Sequence, residues 1–173
     1  LHGGVIGTVM SNFGLELALR RRNIPFIRSP VGDRHVHKAL VNNGWTLGGE
    51  ASGHLLCLDR TSTGDGIVSA LQVLEVMVSE GKGLAELASG VQKLPQVMIN
   101  VPVNGEVLGL ENSATINDAV RSIKDQLGDT GRVILRPSGT EPLVRVTLEG
   151  TNEYQVRQLA TELAELVRTE LGG

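Results

Sequence analysis

Residues 5–47 read VIGTVMSNFGLELALRRRNIPFIRSPVGDRHVHKALVNNGWTL, and their rhythm decides the fold of the first half of the chain. A β-branched run at 5–9 is followed by Ser11 and Asn12, which suit a helix cap, and then by Leu15, Ala18 and Leu19 at helical spacing. Residues 24–27 form the next apolar run. The turn Val31, Gly32, Asp33 leads to Val36, Leu40 and Val41 on one helical face, and residues 45–47 open a third strand. Strands alternating with helices in this way predict a parallel sheet covered by helices. Further on, 54–58 predicts another strand. Thr63 or Asp65 then caps a long helix whose Ile67, Leu71, Leu74 and Val78 are expected to face inward. Gly81 and Gly83 break that helix before a short one over 84–91, and a first domain is expected over 1–94.

The rhythm changes after Pro95. Val97, Ile99, Val101 and Val103 alternate with Met98, Asn100, Pro102 and Asn104, which predicts a strand with one buried face, and Pro102 belongs at its end or at a sheet edge. Thr115 with Asp118 predicts a capped helix burying Ile116, Ala119, Val120, Ile123 and Leu127. Apolar runs at 133–135 and 143–146 predict a hairpin, in which Val144, Val146 and Leu148 share one face and Arg145 points to the other. A last helix carries Val156, Leu159, Ala160, Leu163, Leu166 and Val167 in one stripe. The expected whole is α/β plus α+β: a partial three-layer α/β domain, then a small α+β domain over 95–173 with an antiparallel sheet.

Composition excludes several classes of function. With 40% hydrophobic and 20% charged residues over 173, the chain has material for a globular core. A net charge of -3, with Arg20, Arg21 and Arg22 as the single basic run, gives no cationic footprint for nucleic acid. No apolar stretch approaches the roughly 18 residues that span a bilayer. A lone cysteine, Cys57, within Leu55, Leu56, Cys57, Leu58, rules out an internal disulfide framework and is expected to be a buried, inert thiol in a reducing cytoplasm.

Two stretches carry chemistry. R-P-S-G-T-E-P at 136–142 joins the two hairpin strands. Arg136 offers a planar guanidinium fork, Ser138 and Thr140 offer hydroxyls, Gly139 lets backbone approach an anion, and Arg145 adds charge from the next strand. Pro137 and Pro142 stiffen the loop. The same letters would also serve a hairpin loop whose Ser and Thr satisfy their own backbone. G-G-E-A-S-G-H at 48–54 places Glu50, Ser52 and His54 between two strands, a set suited to neighbouring sugar hydroxyls or to a glycine-rich turn with a solvated Glu. His35 and His37 are two residues apart on a helix and share no face, so no metal site is expected there.

These two stretches, with G-T-V-M-S-N at 7–12, V-G-D-R at 31–34 and T-G-D-G at 63–66, resemble the α-D-phosphohexomutases over essentially the whole chain, and most closely their glucosamine-phosphate branch. The resemblance implies the third and fourth domains of a four-domain enzyme, the third lacking its first elements. Glu50, Ser52, His54, Asp33 and Arg34 would face the sugar, with His54 a possible acid or base. Arg136, Ser138, Gly139, Thr140 and Arg145 would hold the phosphate that is not transferred. It implies a reaction through a phosphoserine and a bisphosphorylated sugar with Mg²⁺, but the S-x-x-N-P and D-x-D-x-D-R motifs for these are absent here, so the chain alone is expected to bind a phosphosugar without turning it over. The missing N-terminal domains are its expected partners, and neither nucleic acid nor membrane is expected. Ala51 and His35 depart from the Gln and Tyr expected in the glucosamine branch, which leaves phosphoglucomutase and phosphomannomutase specificities, or a non-catalytic phosphosugar-binding module, as alternatives.

Overall fold

Strand β1 (Val5–Thr8) is the axis of the first half: β2 (Phe26–Ser29) and β3 (Leu47–Gly49) both pair with it in parallel, one on each side. The computed structural model describes residues 1–103, 110, 112–139 and 141–172. They fall into two units, Leu1–Lys93 and Leu94–Gly173.

In the first unit, β4 (Leu55–Cys57) turns back antiparallel on β3, giving the order β2-β1-β3-β4. Helix α1 (Phe13–Arg21) connects β1 to β2, and α2 (Asp33–Asn43) connects β2 to β3. Because the chain reverses direction across β1, right-handed connections place the two helices on opposite faces. Side-chain alternation agrees. Ile6 and Leu56 pack with Val36 and Leu40 of α2, whereas Val5, Gly7 and Leu55 line a cavity together with Leu15 and Leu19 of α1. Asn12 caps α1 by accepting from the Gly14 N–H, 3.0 Å away. Arg28 ties the strand ends to α1, donating to the carbonyls of Thr8 and Ser11 and pairing with Glu16.

Asp65 caps α3 (Gly66–Glu80), accepting from the N–H groups of Ile67 and Val68, and α4 (Leu84–Ala88) follows. The expectation for α3 needs correcting. Ile67 and Val78 are 76% and 83% exposed, and Leu71 and Leu74 are also exposed. The side turned to β4 instead carries Ser69, Gln72, Val73 and Val76, which line a hollow with Leu47, Leu55 and Cys57. This helix is apolar nearly all round, so its spacing did not single out one face.

The second unit is an antiparallel sheet of order β5-β7-β6, with β5 (Gln96–Pro102), β6 (Gly131–Pro137) and β7 (Leu143–Gly150). Helices α5 (Ala114–Leu127) and α6 (Glu153–Leu171) cover one face. Val101, Val144, Val146 and Leu148 meet Ile116, Ile123, Val156, Leu159, Ala160, Leu163 and Val167 in one core. Pro102 ends edge strand β5, where its missing N–H breaks no ladder. The cap of α5 is Ser113, whose hydroxyl accepts from the Ile116 N–H, rather than Thr115. Asn104, the outer end of the alternation read for β5, lies outside the described residues.

Candidate functional site

The loop 48–54 is the tip of the β3–β4 hairpin. Its backbone closes through Glu50 N–H to the His54 carbonyl at 2.9 Å and Gly53 N–H to the Glu50 carbonyl at 3.1 Å. Gly53 sits at φ +96 with open space around the position of a Cβ, so the glycine serves backbone conformation. Glu50 reaches out of this hairpin: its Oε1 accepts a 2.8 Å hydrogen bond from the Gly32 N–H, and its Oε2 lies 3.6 Å from His54 Nδ1. The Glu50 side chain is only 8% exposed, against 68% for His54. Gly32, at φ +121, is the cap position of α2 and has no side chain with which to cap. A carboxylate from another loop therefore satisfies a backbone donor at the positive end of that helix.

This bond brings the 31–34 loop and the 48–54 loop together. Asp33 and Arg34 are both exposed, and Asp33 Oδ1 accepts from the Arg34 N–H at 2.7 Å. Ser52 is exposed at the hairpin tip. The loops follow the carboxyl ends of β2 and β3 on either side of β1, the point where strand order reverses and where open α/β sheets bind ligands. One Glu50 oxygen is engaged by Gly32, a partner eighteen residues away that only backbone geometry reveals, so Glu50 is not the solvated residue of a simple glycine-rich turn.

In the second unit, the loop 138–142 joins β6 to β7. Ser138 N–H donates to the Leu143 carbonyl and Leu143 N–H to the Glu141 carbonyl, each at 2.8 Å. The ladder sets Arg136 directly opposite Arg145 and Pro137 opposite Val144. Like charges facing each other across a strand pair are unfavourable unless an anion lies between or beside them. Arg145 Nη2 lies 3.4 Å from both Ser138 Oγ and Glu141 Oε2, and its buried Nε has no hydrogen-bond partner among the described residues. Gly139 is exposed, and a Cβ there would meet nothing within 4 Å, so hairpin packing does not demand glycine at that position. Thr140 lies outside the described residues. Glu141, not singled out from the sequence, is the acidic neighbour of Arg145; the signal for it stood within the motif itself.

Among the described residues, no three His, Cys, Asp or Glu side chains gather as a metal would require. The donors among the described residues do not fit Mg²⁺, and no step through a metal is derived from them. Cys57 is buried, and burial pushes its thiol up from the ordinary range, with Asp59 adding to the shift and Arg60 opposing it. No helix among the described residues is long and apolar enough to cross a membrane.

The chain belongs to the phosphoglucomutase/phosphomannomutase family, residues 1–94 matching its alpha/beta/alpha domain III and residues 98–166 its C-terminal domain. Within that family it is similar to phosphoglucosamine mutases. It is 57% identical to that of Thioalkalivibrio sulfidiphilus over 98% of this chain and 38% of the relative, and 58% identical to that of Nitrosococcus oceani over 99% and 38%. Thus the chain spans about 38% of the length of these relatives. The solved N-acetylphosphoglucosamine mutase of Aspergillus fumigatus superposes with a TM-score of 0.81 at 22% identity, over 97% of this chain and 38% of that one, a likeness of fold.

Proposed function

We propose that this chain supplies the sugar-reading and phosphate-holding domains of a cytoplasmic mutase that interconverts glucosamine 6-phosphate and glucosamine 1-phosphate. The observation that carries the phosphate half is the Arg136–Arg145 pair facing each other beside the Ser138 hydroxyl. A phosphate dianion turns that like-charge juxtaposition into two charge-assisted contacts, with serine and loop N–H groups completing the shell. Identity of 57% and 58% across the whole chain supports the choice of hexosamine over other hexoses.

In this reading Asp33, Arg34, Ser52 and His54 meet the sugar, and Glu50 meets it through the oxygen turned toward His54. Arg136, Ser138, Gly139, Thr140 and Arg145 hold the phosphate that stays in place. A bisphosphorylated sugar can place either of its phosphates in this hairpin, so it can bind in the two orientations that such a mutase requires. The phosphoserine donor and the Mg²⁺ ligands belong, in this proposal, to the remainder of a longer protein. The two units described here are its third and fourth domains, meeting at residues 94–95, and by themselves they bind without catalysing.

The test is titration of the full-length protein with glucosamine 6-phosphate, glucose 6-phosphate, mannose 6-phosphate and inorganic phosphate. Each hydrogen bond to a charged group contributes about 1.5–3 kcal/mol, so Arg136→Ala should weaken every phosphate ligand by roughly ten- to a hundredfold. Arg136→Lys should recover part of the loss, since the charge is kept and the fork is not. Unchanged affinity in Arg136→Ala would remove the hairpin from the phosphate site, and preference for a hexose over the hexosamine would overturn the choice of sugar.

A further inference from the structure

We propose that Asp33 selects the amino sugar, its carboxylate pairing with the ammonium group that a hexosamine phosphate carries on its ring. The inference rests on the proposed substrate and adds to it the residue that tells a hexosamine from a hexose. The stretches 30–34 and 48–54, which follow β2 and β3, hold two carboxylates, Asp33 and Glu50, and these are in different states. Glu50 is nearly buried; its Oε1 accepts from the Gly32 N–H and its Oε2 is turned toward His54. Its charge already faces a backbone donor at the positive end of α2. Asp33 is exposed, and only its Oδ1 is engaged, by the N–H of its neighbour Arg34 at 2.7 Å. Among the described residues no cationic side chain pairs with it. Asp33 is therefore the carboxylate at this end of the sheet that is left to meet a charged ligand group.

Its place is fixed by the contact between the two loops. Asp33 directly follows Gly32, the residue that Glu50 holds, and it is the first residue of α2. The clasp and the helix frame together set where the Asp33 carboxylate can reach. Arg34 is the next residue of the same helix, and its guanidinium likewise makes no ion pair among the described residues. Consecutive helical side chains are about 100° apart and do not share a face, so the anion and the cation address different parts of one ligand.

The chemistry of the ligand identifies the pairing. A protonated amine offers donors and no acceptor, whereas a hydroxyl at the same ring position both donates and accepts. A hydroxyl is thus satisfied by a serine, an imidazole or a backbone group, and these do not separate a hexose from a hexosamine. An ammonium leaving water needs an acceptor, and an anion adds the attraction of opposite charges. The Arg34 guanidinium repels an ammonium, which leaves the amino group one favourable place in this loop. Specificity is a difference of affinities, and here one carboxylate raises the affinity for the amine while a neighbouring cation lowers it everywhere else.

The test is titration of the full-length protein with glucosamine 6-phosphate, glucose 6-phosphate and N-acetylglucosamine 6-phosphate, whose acetamide is neutral, reading the ratio of affinities. That ratio does not change when part of a sample is unfolded. Wild type is expected to bind glucosamine 6-phosphate the most tightly of the three. Asp33→Asn keeps an acceptor for the Arg34 N–H and removes the charge; the preference for glucosamine over glucose should fall about three- to tenfold, with glucose 6-phosphate affinity little changed. Asp33→Glu, which keeps the charge on a longer stem, should recover part of the preference. Glu50→Gln should weaken both sugars together and leave their ratio as it was. Amide exchange at Gly32 confirms in each variant that the two loops are still joined. A preference that survives in Asp33→Asn overturns the assignment, as does an equal loss for all three ligands or a preference that disappears in Glu50→Gln instead. A wild type that does not prefer glucosamine 6-phosphate removes the proposed substrate, and this inference with it.

Discussion

Replacing Glu50 separates its structural contact with Gly32 from the sugar contact proposed for it. Its Oε1 holds the Gly32 N–H at 2.8 Å, and the side chain is 8% exposed, so the bond is shielded from water. Hydrogen bonds to charged groups contribute about 1.5–3 kcal/mol, and a negative charge at a partly buried helix N-terminus contributes up to about 2 kcal/mol, an overlapping amount rather than an additional one. Glu50→Ala should therefore cost about 2–3 kcal/mol in the first unit. Glu50→Gln retains an amide oxygen for Gly32 and loses the charge, which should cost about 1 kcal/mol. For a domain of this size 1 kcal/mol moves Tm by roughly 4–8 °C, so the alanine variant should melt some 10–20 °C lower and the glutamine variant about 5 °C lower. Amide exchange at Gly32 gives the local reading: because about 1.4 kcal/mol is a factor of ten, Glu50→Ala should speed it at least tenfold while Glu50→Gln changes it little. Titration with glucosamine 6-phosphate then tests the proposed sugar contact, since Glu50→Gln keeps an acceptor for Gly32 and removes the carboxylate charge. If Gly32 exchanges equally slowly in Glu50→Ala and the melting temperature is unmoved, the clasp contributes nothing and the reasoning fails.

Glu141 competes for Arg145 across 3.4 Å at an exposed site, where such pairs are worth about 0–1 kcal/mol, so Glu141→Gln should tighten inorganic phosphate by up to about fivefold in a calorimetric titration. Arg132 pairs with fully buried Glu149; Arg132→Ala breaks that buried ion pair and should cost about 3–5 kcal/mol by urea unfolding, whereas Arg132→Met with Glu149→Leu should recover most of it. Cys57, its thiol pushed up by burial, should resist alkylation at neutral pH in the folded chain. Its contribution to stability should be constant below about pH 8.5, where the unfolded thiol ionises, and fall as pH rises toward the folded pKa, because the unfolded state then binds fewer protons; a Cys57→Ala variant should lack that decline.

What the letters disclosed and what they withheld divides along a physical line. Side-chain chemistry is written in the sequence, and so the parallel sheet around β1, the Arg136 hairpin and the core stripe of α6 could all be read before any coordinates. Periodicity fails where both faces of an element are apolar. Helix α3 carries Ile67, Leu71, Leu74 and Val78 on one side, Val73 and Val76 on the other and Val68 and Met77 on its flanks, and only the position of β4 determines which side turns inward. Backbone donors leave no letter at all. Nothing about Gly32 announces that its N–H will meet a carboxylate eighteen residues later; glycine there is explained by φ +121, and the bond follows from two loops leaving neighbouring strands at the same end of a sheet. The two kinds of omission bear on function differently. An ambiguous helix face changes which side chains are taken for core and which for surface. A hidden backbone contact changes the meaning of a residue already chosen, because Glu50 reads as a ligand when taken from its motif and as the fastening between two loops when taken from the fold. Both follow from one carboxylate with two oxygens, and a sugar hydroxyl that reached the oxygen turned toward His54 would inherit a position set in part by Gly32.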